Sequence, residues 1–98
     1  MIKEFGNRIA FDLFHSGRTK SLPEKLWPRA IYLLDVMDAV TALDELQVQG
    51  FPPSLRLHKL KGRRKNEFAI DIHKLSGWRI TFLFKDHDFY DVKIENYH

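Results

Sequence analysis

The sequence predicts an α+β fold, with N-terminal helices packed on one face of a small, mainly antiparallel, twisted β-sheet. Three observations predict it. Apolar residues recur at steps of three or four through the first half of the chain. From Leu55 onward the period changes to two. The connections between the alternating segments are too short for crossovers, so neighbouring strands pair antiparallel. A sheet with one apolar face needs a cover, and two amphipathic helices supply it. The 98 residues are expected to form one domain, 1–98, with no room for a second core.

Ile2-Lys3-Glu4-Phe5 reads as a short opening strand. After Gly6, Ile9, Ala10, Leu13 and Phe14 have helical spacing over Asn7 to Ser16, and Gly17 is a stop signal. A second helix carries Leu22, Leu26, Ala30, Leu33, Leu34, Met37 and Val40 on one face. Ser21 and Glu24 have capping-box spacing, and Pro28 should kink this helix or delay its start to about Trp27. Thr41 to Leu46 adds one more turn, and Gly50-Phe51-Pro52-Pro53 ends the helical half. Phe68, Ile70 and Ile72 then alternate with Glu67, Ala69 and Asp71. Trp78, Ile80, Phe82 and Phe84 alternate with Arg79, Thr81, Leu83 and Lys85. Tyr90, Val92 and Ile94 alternate with Asp91, Lys93 and Glu95. Three strands follow, joined by loops at 73–77 and 86–88. Their polar faces, with Arg79, Thr81, Asp91, Lys93, Glu95 and, by parity, Tyr97, project away from the helices.

Composition is that of an ordinary globular chain: 44% hydrophobic, 30% charged and 13% aromatic. The apolar runs are too short for a transmembrane helix, and the N-terminus has no h-region, so a cytoplasmic protein without a membrane partner is expected. Zero cysteines exclude disulfides, thiolate zinc sites and cysteine nucleophiles. The net charge of +3 conceals a strong polarity. No acid occurs from Leu46 to Asn66, a stretch that holds Arg56, Lys59, Lys61, Arg63, Arg64 and Lys65. The rest of the chain has ten bases against thirteen acids. One basic segment on a mildly acidic body suits a phosphate backbone or an acidic protein partner. The bland alternative is a solvated loop.

The five histidines, His15, His58, His73, His87 and His98, match no metal-site spacing, so no metal and no other cofactor is expected. Glycine-rich nucleotide loops and a serine nucleophile elbow are absent from the sequence. What remains is a metal-free set: His58, Lys61, Arg79, Tyr97 and His98. Metal-free RNA cleavage requires a base for the 2′-hydroxyl proton and cations for the charge building on phosphorus. It also requires an acid for the leaving 5′-oxygen. Histidine serves the proton transfers near neutral pH, and lysine and arginine the charge. By themselves these residues leave other readings open, since a strand arginine is commonly a surface residue and a terminal Tyr-His commonly a frayed tail.

Arg56-Leu57-His58-Lys59-Leu60-Lys61-Gly62, then Gly77-Trp78-Arg79-Ile80-Thr81-Phe82, then Glu95-Asn96-Tyr97-His98 resemble the HigB killer-protein toxins of the RelE/ParE superfamily. The N-terminal half fits in outline, with Phe14-His15-Ser16-Gly17 as a helix end. The resemblance implies a RelE-like fold and a bacterial, cytoplasmic toxin that enters the ribosomal A site and cuts translated mRNA. A HigA-like helix-turn-helix antitoxin would hold it inactive. Lys61 and Arg79 would be the cleavage cations, Tyr97 and His98 would supply base stacking and proton transfer, and His58 would stand at a position where some relatives carry histidine. Arg56, Lys59, Arg63, Arg64 and Lys65 would bind RNA or the ribosome. Arg79→Ala is expected to abolish toxicity without unfolding the chain, because Arg79 faces away from the apolar side.

Three features depart from the family's pattern. The loop 73–77 is longer by two residues than the common form, Asn96 stands where Asp is usual, and His87 stands where Gly is common in the last hairpin. Two other functions use the same residues differently. A ParE-like gyrase inhibitor would use the basic half for docking alone, and a non-catalytic RNA-binding module would hold RNA without cutting it.

Overall fold

The computed structural model describes residues 1–48 and 57–96. The helix end read at 50–53, together with Arg56, Tyr97 and His98, lies outside the described residues. The N-terminal half forms α1 (Arg8–Ser16), a 3₁₀ turn (Glu24–Leu26), α2 (Trp27–Ala39) and α3 (Leu43–Val48). The C-terminal half forms β1 (Leu57–Lys59), a 3₁₀ turn (Gly62–Arg64), β2 (Phe68–His73), β3 (Trp78–Lys85) and β4 (Asp88–Asn96). Among the described residues no helix is long and apolar enough to cross a membrane.

The predicted limits of α1 hold because both ends are capped. Asn7 Oδ1 accepts from the Ala10 amide at 3.1 Å, and its Nδ2 donates to the Ile94 carbonyl at 2.9 Å, so one side chain starts the helix and fastens it to β4. Gly17, at φ +75°, closes the other end by donating to the Leu13 carbonyl. The Ser21–Glu24 capping box does not form. Pro28 delays the α-helix to Trp27, as its missing N–H requires, which leaves Ser21 upstream of a separate 3₁₀ turn that has no side-chain cap. α3 is likewise a helix of its own and not a last turn of α2, because Val40 is extended (ψ 156°). Glu45 Oε1 accepts from both the amide and the hydroxyl of Thr41.

The four strands lie in the order β1-β2-β3-β4, each antiparallel to its neighbour. Three residues of β1 are too few to display a period of two, which is why that strand is not separable in the sequence. The opening segment is not a full strand. Ile2 and Phe5 make isolated parallel bridges to Phe89 and Val92 along the outer edge of β4. The helices cover one sheet face, with Ala10, Leu13, Leu33, Leu34 and Met37 against Ile70, Ile72, Ile80, Phe82 and Ile94. Truncating a fully buried ring such as Phe82 there costs about 3–5 kcal/mol.

The alternation read for β4 fails at one point. Phe89 is buried and Tyr90 is not, because Asp91 (φ +51°) forms a bulge and the β3–β4 register shifts between Thr81 and Leu83. An extra residue reverses which side chains face the core, so the inward set is Phe89, Val92 and Ile94.

Candidate active site

The second sheet face is turned away from the helices, and strand register arranges it in rows. His58 lies opposite Ala69, Ala69 opposite Thr81, and Thr81 opposite Lys93. The neighbouring row is Asp71, Arg79 and Glu95. Two residues along a strand span about 7 Å, so His58 and Arg79 belong to adjacent rows of one surface. Arg79 is only 9% exposed and Thr81 is fully buried, so the middle of this face is screened although, among the described residues, the helices pack on the other face.

Part of the screen is Arg64. Its Nε and Nη2 donate to the two carboxylate oxygens of Glu67 at 2.7 and 2.8 Å, in bidentate geometry. Nη2 also donates to Thr81 Oγ1 at 3.3 Å, and Nη1 lies 2.7 Å from Glu95 Oε1. Glu95 Oε1 in turn lies 3.5 Å from Arg79 Nη2. Lys93 Nζ reaches Glu67 at 3.3 Å and Asp91 at 3.4 Å. The hydrogen bond from Arg64 holds the Glu67 carboxyl below its ordinary range, against the opposing effect of burial and with help from Lys93. The same bond, followed by those to Glu95, drives the Arg64 guanidinium further above the usual arginine value.

This network binds the turn after β1 to the β3–β4 surface. Lys61 occupies the residue before the 3₁₀ turn that Arg64 ends; this turn lies beyond Glu67, four residues along β2 from the Asp71 that faces Arg79, and the Arg64 side chain ties it to Glu95 of the Arg79 row. Lys61, Arg63 and Lys65 are exposed and, among the described residues, form no ion pair. Two members of the basic run behave differently. Lys59 lies on the opposite sheet face from His58, its ammonium 5.8 Å from the centre of the Phe68 ring. Arg64 is engaged by carboxylates and not presented to solvent as a bare cation. The sheet face is therefore a mixed-charge surface with a cationic rim, in place of the uniformly cationic cradle that the run of bases suggests.

The structure thus brings His58, Arg79 and the Lys61 turn to one side of the sheet, while Tyr97, His98 and Arg56 lie outside the described residues. Such a side can bind a phosphodiester through exposed cations and place a screened guanidinium against it. Among the described residues no group of three or more His, Cys, Asp or Glu side chains could hold a metal ion. Glu67, Glu95, Thr81 and Lys93 were not singled out as functional from the sequence, although parity puts all four on this face. A further cue to Glu67 is that it is the first acid after the acid-free stretch. The long 73–77 loop is a closed turn in which the Ser76 hydroxyl lies 2.7 Å from His73 Nδ1 and the Gly77 amide donates to the His73 carbonyl.

Residues 3–98 match the family model described as the RelE-like toxin of type II toxin–antitoxin system HigB. The chain is also 35% identical, over 98 aligned residues that span the whole of both proteins, to Endoribonuclease HigB of Proteus vulgaris. With a match spanning nearly the whole chain and an α+β architecture of helices on an antiparallel sheet, this chain belongs to the HigB-like family of RelE-like type II toxins.

Proposed function

We propose that this toxin is a ribosome-dependent endoribonuclease that cuts translated mRNA in the A site. The likeness to an endoribonuclease over the full length of both chains supports RNA strand scission as its activity. The observation that supports the chemical reading is the Arg64–Glu95 ion pair of 2.7 Å, which ties the turn after Lys61 to β4, the strand paired with the one that carries Arg79. Two cations from distant parts of the sequence can then meet one phosphate.

In this mechanism a base takes the 2′-hydroxyl proton and the 2′-oxygen bonds to phosphorus. Arg79 and Lys61 stabilise the extra charge, the P–O5′ bond breaks, and an acid protonates the leaving oxygen. The products carry a 2′,3′-cyclic phosphate and a 5′-hydroxyl. His98 and His58 are the proton carriers and Tyr97 the stacking platform. Arg63, Lys65 and Arg56 bind backbone or ribosomal RNA, a role that suits the exposure of the first two. The partner is an antitoxin, of the HigA-like helix-turn-helix type, and the site of action is the bacterial cytoplasm.

Programmed ribosomes carrying a defined mRNA test this directly. New 5′ ends should appear inside the A-site codon with wild-type protein, and not with Lys61→Ala or with RNA lacking ribosomes. Equal cutting of free RNA would overturn the ribosome dependence. No cutting in either setting would overturn the nuclease.

A further inference from the structure

Resting on the cleavage reading above, we propose that Tyr90, with Leu83 beside it, is a stacking platform for an mRNA base that flanks the cleaved bond.

The bulge at Asp91 is what puts Tyr90 on the site face. An unbroken alternation along β4 would turn Tyr90 inward with Val92 and Ile94. The positive φ of Asp91, +51°, re-aims it outward and lets Phe89 take the core position. Tyr90 then pairs with Leu83, which alternates on β3 with the inward Ile80, Phe82 and Phe84 and so shares the face of Arg79 and Thr81. A non-glycine residue held at positive φ marks a place where the fold bears a backbone cost, and its result here is the direction of one ring.

Packing does not account for that ring. The inward rings contact one another, Phe89 with Phe82 at 5.1 Å and with Phe84 at 5.0 Å between centroids. Among the described residues Tyr90 meets no other ring, and its hydroxyl makes no hydrogen bond. Tyr90 and Leu83 are both half-buried, so part of each stays open on a face otherwise lined largely by polar groups.

Charge decides the occupant. Phe68 pairs with Phe82, so Glu67 continues that register toward Leu83, and Glu67, Leu83 and Tyr90 form one row. Strands lie about 4.8 Å apart, which sets Tyr90 roughly 10 Å from Glu67 across β3. Glu67 is where Nε and Nη2 of Arg64 fasten the basic turn. On that turn Arg63 and Lys65, which the cleavage chemistry does not use, are exposed and without an ion pair among the described residues. The acids nearest the row, Glu67 and Asp91, each pair with Lys93. One border of the strip is cationic and the other aromatic, which fits a single RNA strand with phosphates on the turn and a base on the ring. Arg79 lies four residues along β3 from Leu83, about 13 Å, so the base on Tyr90 belongs to a nucleotide outside the cleaved bond.

The test compares wild type with Tyr90→Phe and Tyr90→Leu on programmed ribosomes, with thermal unfolding followed in parallel. Tyr90→Phe should cleave within about two-fold of wild type, since stacking needs the ring and not the hydroxyl. Tyr90→Leu keeps an apolar partner for Leu83 but has no π face. It should raise KM roughly 5- to 50-fold while kcat stays within a few-fold. An abasic residue moved through the mRNA positions flanking the A-site codon should bring wild type and Tyr90→Leu to the same KM at one position. If Tyr90→Leu unfolds, Leu83→Thr carries the same comparison. Equal KM on intact mRNA would overturn the proposal, and with weakened antitoxin binding would assign the patch to a protein partner. A deficit that no abasic position removes, or one confined to kcat, would overturn it too. A readout independent of cleavage is the NMR signal of the Tyr90 ring protons, which should move upfield when a short single-stranded RNA is added at low salt. If wild type cuts nothing, the nuclease reading falls while this shift still supports the platform. A ring unmoved by RNA overturns the platform whether or not the protein cuts.

Discussion

Arg64 Nη1 lies 2.7 Å from Glu95 Oε1 and so joins the turn after β1 to the last strand. Lys61 and Arg79 are thereby held on one side of the sheet but in unlike surroundings, the first exposed and the second 9% exposed. Their substitutions should separate accordingly. Lys61→Ala should leave stability within about 0.5 kcal/mol of wild type while reducing cleavage by roughly 10²- to 10³-fold. Arg79→Ala should lose cleavage to a similar degree and also destabilise the chain by about 1–3 kcal/mol, because it empties a screened position beside Glu95. Urea unfolding alongside a programmed-ribosome assay checks both. The burial of Arg79 thus predicts a stability cost that strand parity alone does not.

Glu67 makes stability depend on acid. Its carboxyl is held below the ordinary glutamate value of 4.5 by the Arg64 hydrogen bond, so in this pH range the unfolded chain binds the proton more readily than the folded one. The stabilisation is complete above 4.5 and is lost as pH falls from there through the lowered folded value. Glu67→Gln should remove this component, giving a variant about 1–2 kcal/mol less stable at neutral pH with a flatter decline in acid. Thermal unfolding at closely spaced pH values from 6 down to about 3 reads the difference, and parallel acid curves for the two proteins would show that Glu67 is not responsible.

The parts of the fold that were legible in the sequence are those set by repeating patterns. α1 and the inward faces of β2 and β3 follow directly from spacing, and the start of α2 at Trp27 follows from the chemistry of Pro28. The turned Tyr90 was not legible, because the bulge at Asp91 depends on a positive φ that an aspartate does not advertise. The site divides in the same way. Arg79 is placed by parity within a long strand, whereas the position of His58 opposite Ala69, on the three-residue β1, emerges only from the structure. The pairing of Arg64 with Glu67 and Glu95 depends on how an irregular turn folds over the sheet, and turns carry no periodicity. For that reason a run of bases looks like one cationic surface in sequence, while in space Arg64 faces carboxylates and Lys59 faces a phenyl ring.

His87 is a second place where backbone geometry overrides residue preference. The β3–β4 hairpin turns on Asp86 and His87, at φ +52° and +71°, a two-residue loop with both residues in the left-handed region. Glycine takes that conformation without the steric cost an L side chain bears there, about 1–2 kcal/mol. His87→Gly gives up the exposed hydrogen bond between Nδ1 and the Thr41 carbonyl, 3.1 Å long, and adds unfolded-state freedom. The balance should favour the variant by about 0.5–1 kcal/mol, a rise of a few degrees in Tm. A Tm unchanged or lowered would mean that the bond to Thr41 outweighs the relief of strain.

Gly6 presents the opposite case, a position where a single methyl group should be costly. A Cβ built there would run into the Asp91 carboxylate and come within 2.6 Å of Lys93 Cγ. The carboxylate can swing aside only by leaving Lys93 Nζ, its ion-pair partner at 3.4 Å. Lys93 Cγ is near the root of its side chain and has little freedom to move. Gly6→Ala should therefore push the N-terminal segment off the β4 edge, where the Gly6 amide donates to the Val92 carbonyl and the Lys3 amide to the Phe89 carbonyl, both at 2.8 Å. The expected cost is about 1–3 kcal/mol. Hydrogen exchange locates it, since the Phe89 and Val92 amides, which donate to the Met1 and Glu4 carbonyls, should lose more protection than the amides between β2 and β3. Asp91→Gly in the same chain removes the obstructing carboxylate and suits the φ of +51° at that position, so it should restore part of the loss. Uniform loss of protection with no rescue would place the cost in the Gly6 backbone itself and not in its approach to β4.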